Sequence, residues 1–258
     1  MATSATPSYP KHFIPLESNP DIFTELIHKL GISQSLNFQD VFSLDPELLS
    51  FIPRPAHALI LVFPTTNEYE QRVNVEDFNA KDVLESDDDN DIVFFRQTIN
   101  NACGLYAILH AVCNGEMRNS FGKPASNSCT PLLTLTKASN SPMDNILKSC
   151  LPARPRERAL ALENDQELER AYAEVAQKGD TAPPASAEDE VDFHYIAFVK
   201  SHINDHLYQL DGDRKRPIKL AALEEGEDVL SEKCLEVIRG MMVEDNLNFS
   251  LMALVGQT

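Results

Sequence analysis

Cysteine, histidine, carboxylate and a side-chain amide are the groups from which thiol hydrolases are built. Residues 94–112 read "FFRQTINNACGLYAILHAV". Leu105, Ile108, Leu109 and Val112 fall at i, i+3, i+4 and i+7, so a helix with one apolar face begins near Cys103. Cys103 then stands in the first turn as an exposed thiol, where unpaired N–H groups and the helix dipole favour a thiolate. Asn100 and Asn101 tolerate the tight backbone entering such a helix, and Gly104 leaves room for a substrate. Gln97, six positions before the cysteine, offers a side-chain N–H₂ to the oxyanion of a tetrahedral intermediate. Cys113 lies roughly 15 Å further along the helix and belongs to the core.

A cysteine nucleophile needs a base, and the base needs an orienting group. Of the seven histidines, His194 is the informative one. "DFHYIAFV" and "DHLYQLDG" read as two strands joined around residues 201–204. Pairing Val199 with His206 sets His194 opposite Asp211, and directly opposed residues share a face. Imidazole and carboxylate then lie side by side; a slip of one residue would part them. Singly, each residue has a plainer role: a packed thiol, a packed strand histidine, a turn aspartate before Gly212.

The scaffold that must carry this set is within reach of the composition. The chain has 258 residues, 43% of them hydrophobic, enough for a sizeable core. No apolar run is long enough to span a bilayer. "MATSATPSYPKHF" lacks the basic start and apolar stretch of a signal peptide, so an intracellular protein is expected. The cysteines are Cys103, Cys113, Cys129, Cys150 and Cys234. Their odd number, wide spacing and lack of any C-x-x-C argue for free thiols and against a disulfide framework or metal site. A formal net charge of −18 disfavours nucleic acid and anionic membranes and would steer a basic partner inward.

"DIFTELIHKLG" reads as a helix, with Ile22, Leu26 and Leu30 four apart, Asn19 or Asp21 as cap and Gly31 after its end. "HALILVFP" reads as a strand buried on both faces. "ESDDDND" and "FGKPASNSCTP" read as loops. Helical patterns between residues 141 and 179 are broken by Pro152 and Pro155. "KGDTAPPASAEDE" is the most loop-like internal stretch, and "NFSLMALV" reads as a final strand. The mixed element order predicts an α+β fold with a predominantly antiparallel sheet.

Gln97, the "NACG" around Cys103, His194 and the Asp211 of "LYQLDG" together resemble the ubiquitin C-terminal hydrolases, thiol deubiquitinases with a papain-like core. "FIPLESNPDIFTELIHKLGI", "RPAHALILVFP" and "ERALALEN" resemble further blocks of that family, so the likeness runs from about Phe13 to Val255. The family's usual "NSCGT" reads "NACGL" here, which removes no catalytic group. The gap from His194 to Asp211 is longer than in the shorter relatives.

The resemblance implies one catalytic domain over residues 1–258, knotted, with a mostly antiparallel sheet flanked by helices, a flexible stretch at 1–12 and a loop crossing the active site at about 165–189. It implies Cys103 as nucleophile, His194 as general base and acid, Asp211 as its orienter and Gln97 as oxyanion donor, without metal or cofactor. The implied reaction is hydrolysis at the C-terminal glycine of ubiquitin by a cytoplasmic or nuclear monomer, releasing small or disordered adducts. The rivals are a hydrolase of the modifier Nedd8, a non-catalytic ubiquitin-binding module, and an unrelated papain-like peptidase.

Overall fold

The computed structural model describes residues 9–83, 92–116, 141–182, 184–189, 191–242 and 248–256. The acidic run at 85–91, the loop-like stretch at 121–131 and Cys129 lie outside these residues.

The apolar run that ends at Pro64 is strand β3, Ala56–Pro64. It can be apolar throughout because both of its faces are covered. Ala58, Ile60 and Val62 enter one core, while Leu59, Leu61 and Phe63 enter the other. The remaining members of its sheet are β2 (Leu36–Asp40), β5 (Phe193–Lys200), β6 (His206–Leu210), β7 (Ile218–Ala222) and β8 (Ser250–Gly256). The order is β2-β8-β3-β5-β6-β7, and every pairing is antiparallel.

Against the first face pack α1 (Pro20–Lys29), α4 (Cys103–Val112), α5 (Pro142–Cys150), α6 (Pro155–Glu163) and α7 (Gln166–Ala176). The second face is covered by α2 (Pro46–Leu49) and α8 (Glu232–Met241). A further helix, α3 (Asn67–Asp77), buries no residue. Among the described residues no helix is long and apolar enough to cross a membrane.

α1 forms as its pattern predicts. Asn19 Oδ1 accepts from Asp21 N at 2.9 Å, Ile22 and Leu26 are buried, and Gly31 leaves the helix at φ +90°. Pro155 opens α6 rather than interrupting a helix. α4 differs from the expected one-sided helix: all ten of its residues are buried. Two of its polar side chains bond the chain just before it, although His110 Nδ1 has no hydrogen-bond partner. His110 Nε2 accepts from Phe95 N at 3.0 Å, and Tyr106 Oη accepts from Thr98 N at 3.2 Å. Burial pushes the His110 imidazole down to about 3, so it stays neutral and can accept.

Three expectations need correction. The stretch at 1–12 is not uniformly loose: β1, Lys11–His12, pairs in parallel with β4, Ile99–Asn100, just before Cys103. The loop expected at about 165–189 starts as α7, because Asp165 caps a helix by accepting from Leu168 N at 2.9 Å. The irregular chain is at residues 177–182, 184–189 and 191–192. In the β5–β6 hairpin Val199 pairs with Tyr208, not His206. Asp205, at φ +54°, belongs to the turn, and β6 stops at Leu210, so Asp211 lies just past the ladder. The slip is even, and the side chains keep their faces.

Candidate active site

His194 sits near the start of β5 and Asp211 just after β6, at the same end of the sheet. His194 Nε2 and Asp211 Oδ1 are 2.7 Å apart, in a pair 6% and 1% exposed. Cys103 lies close enough to the same imidazole to favour its protonated form. Asp211 occupies Nε2, so the thiol addresses Nδ1. Thiol, imidazole and carboxylate are therefore brought to one place by α4, β5 and the loop after β6.

Burial alone would pull the imidazole pKa down. The Asp211 charge and hydrogen bond, then Cys103 and Asp213, more than offset it and leave His194 well above 6.5. For Asp211, burial disfavours the carboxylate, but the His194 charge and hydrogen bonds from His194, Asp213 N and Tyr69 hold it below its usual range. Both partners are therefore charged around neutral pH, and each is the main reason the other is.

Asp211 accepts three hydrogen bonds. Oδ1 takes His194 and Asp213 N, the latter at 2.9 Å, and Oδ2 takes Tyr69 Oη–H at 3.0 Å. Burial and the neighbouring carboxylate raise the Tyr69 phenol, so it stays protonated and donates. A second carboxylate, Asp213 Oδ2, lies 3.8 Å from His194 Nδ1 on the open side of the ring.

Cys103 is not the exposed thiol expected of a first turn. It is 5% exposed, on a cleft of about 430 Å³. One wall is Leu16, Glu17 and Ser18, fastened by Tyr172 Oη to Ile14 O at 2.6 Å and Tyr195 Oη to Leu16 O at 2.8 Å. The facing wall is the chain between Gly179 and Phe193. Thr181 N donates to Glu17 Oε2 at 2.8 Å, and Asn101 Nδ2 donates to Ala187 O and Asp189 O at 2.9 and 2.8 Å. Asn101 reaches that loop from φ +57°, a left-handed conformation Asn accepts more readily than most residues. Gly104 faces Leu16 rather than open space.

Ala102 gives α4 no side-chain cap. Gln97 is buried beside the same end of the helix. Its N–H donates to Gly212 O at 2.8 Å, and its Oε1 has no hydrogen-bond partner. Gly212 separates Gln97 from Tyr106: a Cβ there would lie 2.9 Å from Gln97 Cβ and 3.4 Å from Tyr106 Cβ.

A family model described as ubiquitin carboxyl-terminal hydrolase, family 1, matches residues 13–243. A ubiquitin carboxyl-terminal hydrolase of Aplysia californica is 37% identical over 91% of this chain and 97% of its own length. Ubiquitin carboxyl-terminal hydrolase 3 of Arabidopsis thaliana is 33% identical over the whole of both chains. The chain belongs to ubiquitin carboxyl-terminal hydrolase family 1. Among solved structures, the UCH37 catalytic domain of Trichinella spiralis, crystallised bound to ubiquitin vinyl methyl ester, shares the fold. Its TM-score is 0.69 at 22% identity, over 96% of this chain and 98% of that one.

Within this family member, two site neighbours are absent from the sequence reading. Asp213 carries a local signal, a second carboxylate two residues after Asp211 in "LDGD". Tyr69 carries none, because α3 has no buried apolar stripe to announce a helix there.

Proposed function

We propose that the chain is a thiol-dependent ubiquitin hydrolase in which Cys103, His194, Asp211 and Gln97 act as nucleophile, general base and acid, orienter and oxyanion donor. The observation that carries this reading is the buried His194–Asp211 pair with Cys103 beside the imidazole and on a walled cleft. In the first step Cys103 Sγ, its proton already held by the His194 imidazolium in an ion pair, attacks the C-terminal glycine carbonyl. The oxyanion is met by the Cys103 backbone N–H and the Gln97 amide. Nδ1–H then protonates the leaving group as the bond to it breaks, giving a thioester. Water, deprotonated by His194, hydrolyses the thioester, and the departing thiolate and the imidazolium restore the ion pair.

The site draws every part from one chain, which supports a monomer. The formal charge of −18 suits a basic tail, and a cleft walled by Leu16–Ser18 and the 179–193 chain suits one without side chains at its end. A leaving group must clear the loop fastened by Glu17 and Asn101, so folded adducts should be excluded. The test is kcat/KM for ubiquitin bearing a short unstructured peptide against ubiquitin joined to a second folded ubiquitin. The peptide adduct should be cleaved far faster; equal rates would remove the role assigned to the loop.

Gly212 provides a second check. Gly212→Ala places a Cβ against Gln97 and pushes the amide off the oxyanion. We expect kcat to fall by roughly tenfold to 10²-fold with little change in KM. Unchanged kcat, with correct folding verified by melting temperature, would take Gln97 out of the oxyanion site.

A further inference from the structure

An eleven-residue helix with no buried residue is not held in place by a hydrophobic face. α3 is fastened at both ends to a single loop, the one that carries Asp211. At its start, Tyr69 Oη donates to Asp211 Oδ2 at 3.0 Å. Near its end, Asp77 Oδ1 accepts from Arg214 Nε and Nη2 at 2.9 and 2.7 Å, and Asp77 Oδ2 accepts from Lys215 N at 3.0 Å. Glu76 adds a bond from Arg214 Nη1 at 2.9 Å, and Lys215 Nζ reaches Asp77 O at 2.9 Å. Arg214 is itself buried and the Asp77 side chain is 13% exposed, so the bonds between them are largely shielded from water, while Glu76 is open to it. The Tyr69 ring packs on Phe63 at 4.8 Å, and Phe63 meets the His194 ring edge-to-face at 5.8 Å.

We propose that α3 is a brace for the catalytic carboxylate and that Tyr69 is the positioning residue through which it acts. His194 engages only one oxygen of Asp211. The other oxygen is inside the protein, where the Tyr69 hydroxyl donates to it. Without the phenol, a buried charged acceptor goes unsatisfied, and the carboxylate is free to rotate about its own bond or take up a proton. Either event moves Oδ1 away from the imidazole, although neither touches substrate. Asp77 and Arg214 fix the other end, so the loop cannot follow a local loosening of α3.

This inference rests on the roles proposed for Cys103, His194 and Asp211, and it is tested separately from them. Tyr69→Phe keeps the ring on Phe63 and removes only the donor. Its kcat should fall roughly tenfold, with KM within about twofold of wild type. In an Asp211→Asn background the same change should cost nothing further, since Tyr69 acts through the carboxylate. Asp77→Asn, which touches no group of the triad, should give a smaller fall with the same kcat-against-KM pattern. Full activity in Tyr69→Phe, or an equal loss in both backgrounds, would overturn the brace. Loss of activity in Cys103→Ala and Asp211→Asn alongside that result would leave the hydrolase reading standing.

Discussion

Cys103→Ala should lose roughly 10⁴-fold or more in kcat/KM toward a ubiquitin C-terminal ester or amide, because among the described residues no other cysteine lines the cleft. Binding should survive: the Cys103 side chain is 5% exposed and contributes little surface to any complex. The assignment is sharpened by the other thiols. Cys113, Cys150 and Cys234 are fully buried. Burial pushes Cys150 up to about 11 and Cys234 higher still, so neither offers a thiolate near neutral pH. A ubiquitin probe bearing a thiol-reactive C-terminus should add once to the wild-type protein, at Cys103, and not at all to Cys103→Ala. Label on another cysteine, or undiminished turnover by the variant, would move the nucleophile elsewhere.

Asp211→Asn should lower kcat by roughly 10²-fold, less than loss of the nucleophile, since the thiol, the oxyanion donors and the cleft remain. It should also change the shape of the pH profile. In the wild type, burial opposes the imidazolium and Asp211 overcomes it, so the alkaline limb of kcat/KM lies well above pH 6.5. With asparagine the opposing desolvation is unbalanced, and that limb should move to lower pH. The sign for stability follows from the same pair. The His194 share is present below its unfolded pKa and fades as pH rises through the raised folded value. The Asp211 share is present above its unfolded pKa and fades as pH falls through the lowered one. The variant should therefore lose melting temperature most in the window where both groups are charged. An alkaline limb that stays in place would show that another group sets the His194 charge; Asp213, 3.8 Å from Nδ1, is the neighbour to replace next.

The parts of the fold that follow from local pattern are readable in the sequence. β3 announces itself by six apolar residues closed by Pro64, and α1 by its four-residue spacing between Asn19 and Gly31. α4 was placed at its true start because the turn at Asn101 and the apolar spacing after Cys103 agree. What could not be read depends on distant chain. β2, "LNFQD", and β7, "IKLAA", are five residues each, too short for their patterns to stand out from the surrounding chain. The division of α6 from α7 needs no proline, only the Asp165 cap. Cys103 shares its cleft with Leu16–Ser18 and with Gly179, Thr181, Pro184 and Val191, far from it in either direction, and its own neighbours give no sign of them. His194 and Asp211 meet although their ladder partners differ from the expected ones, because an even slip preserves the face and the loop after β6 supplies the remaining reach.

The position of β8 bears on how the chain is made. Residues 250–256 lie between β2 and β3, pairing with both. On a ribosome, β2 and β3 emerge long before the strand that joins them, and through that interval they expose unpaired edges, one on a nine-residue apolar strand. Contacts this remote in sequence also slow folding, since a long loop must close before any pairing rewards it. Nascent chains should therefore depend on holding factors until residue 256 has left the exit tunnel. Premature termination upstream of 250 should yield aggregates rather than a smaller hydrolase.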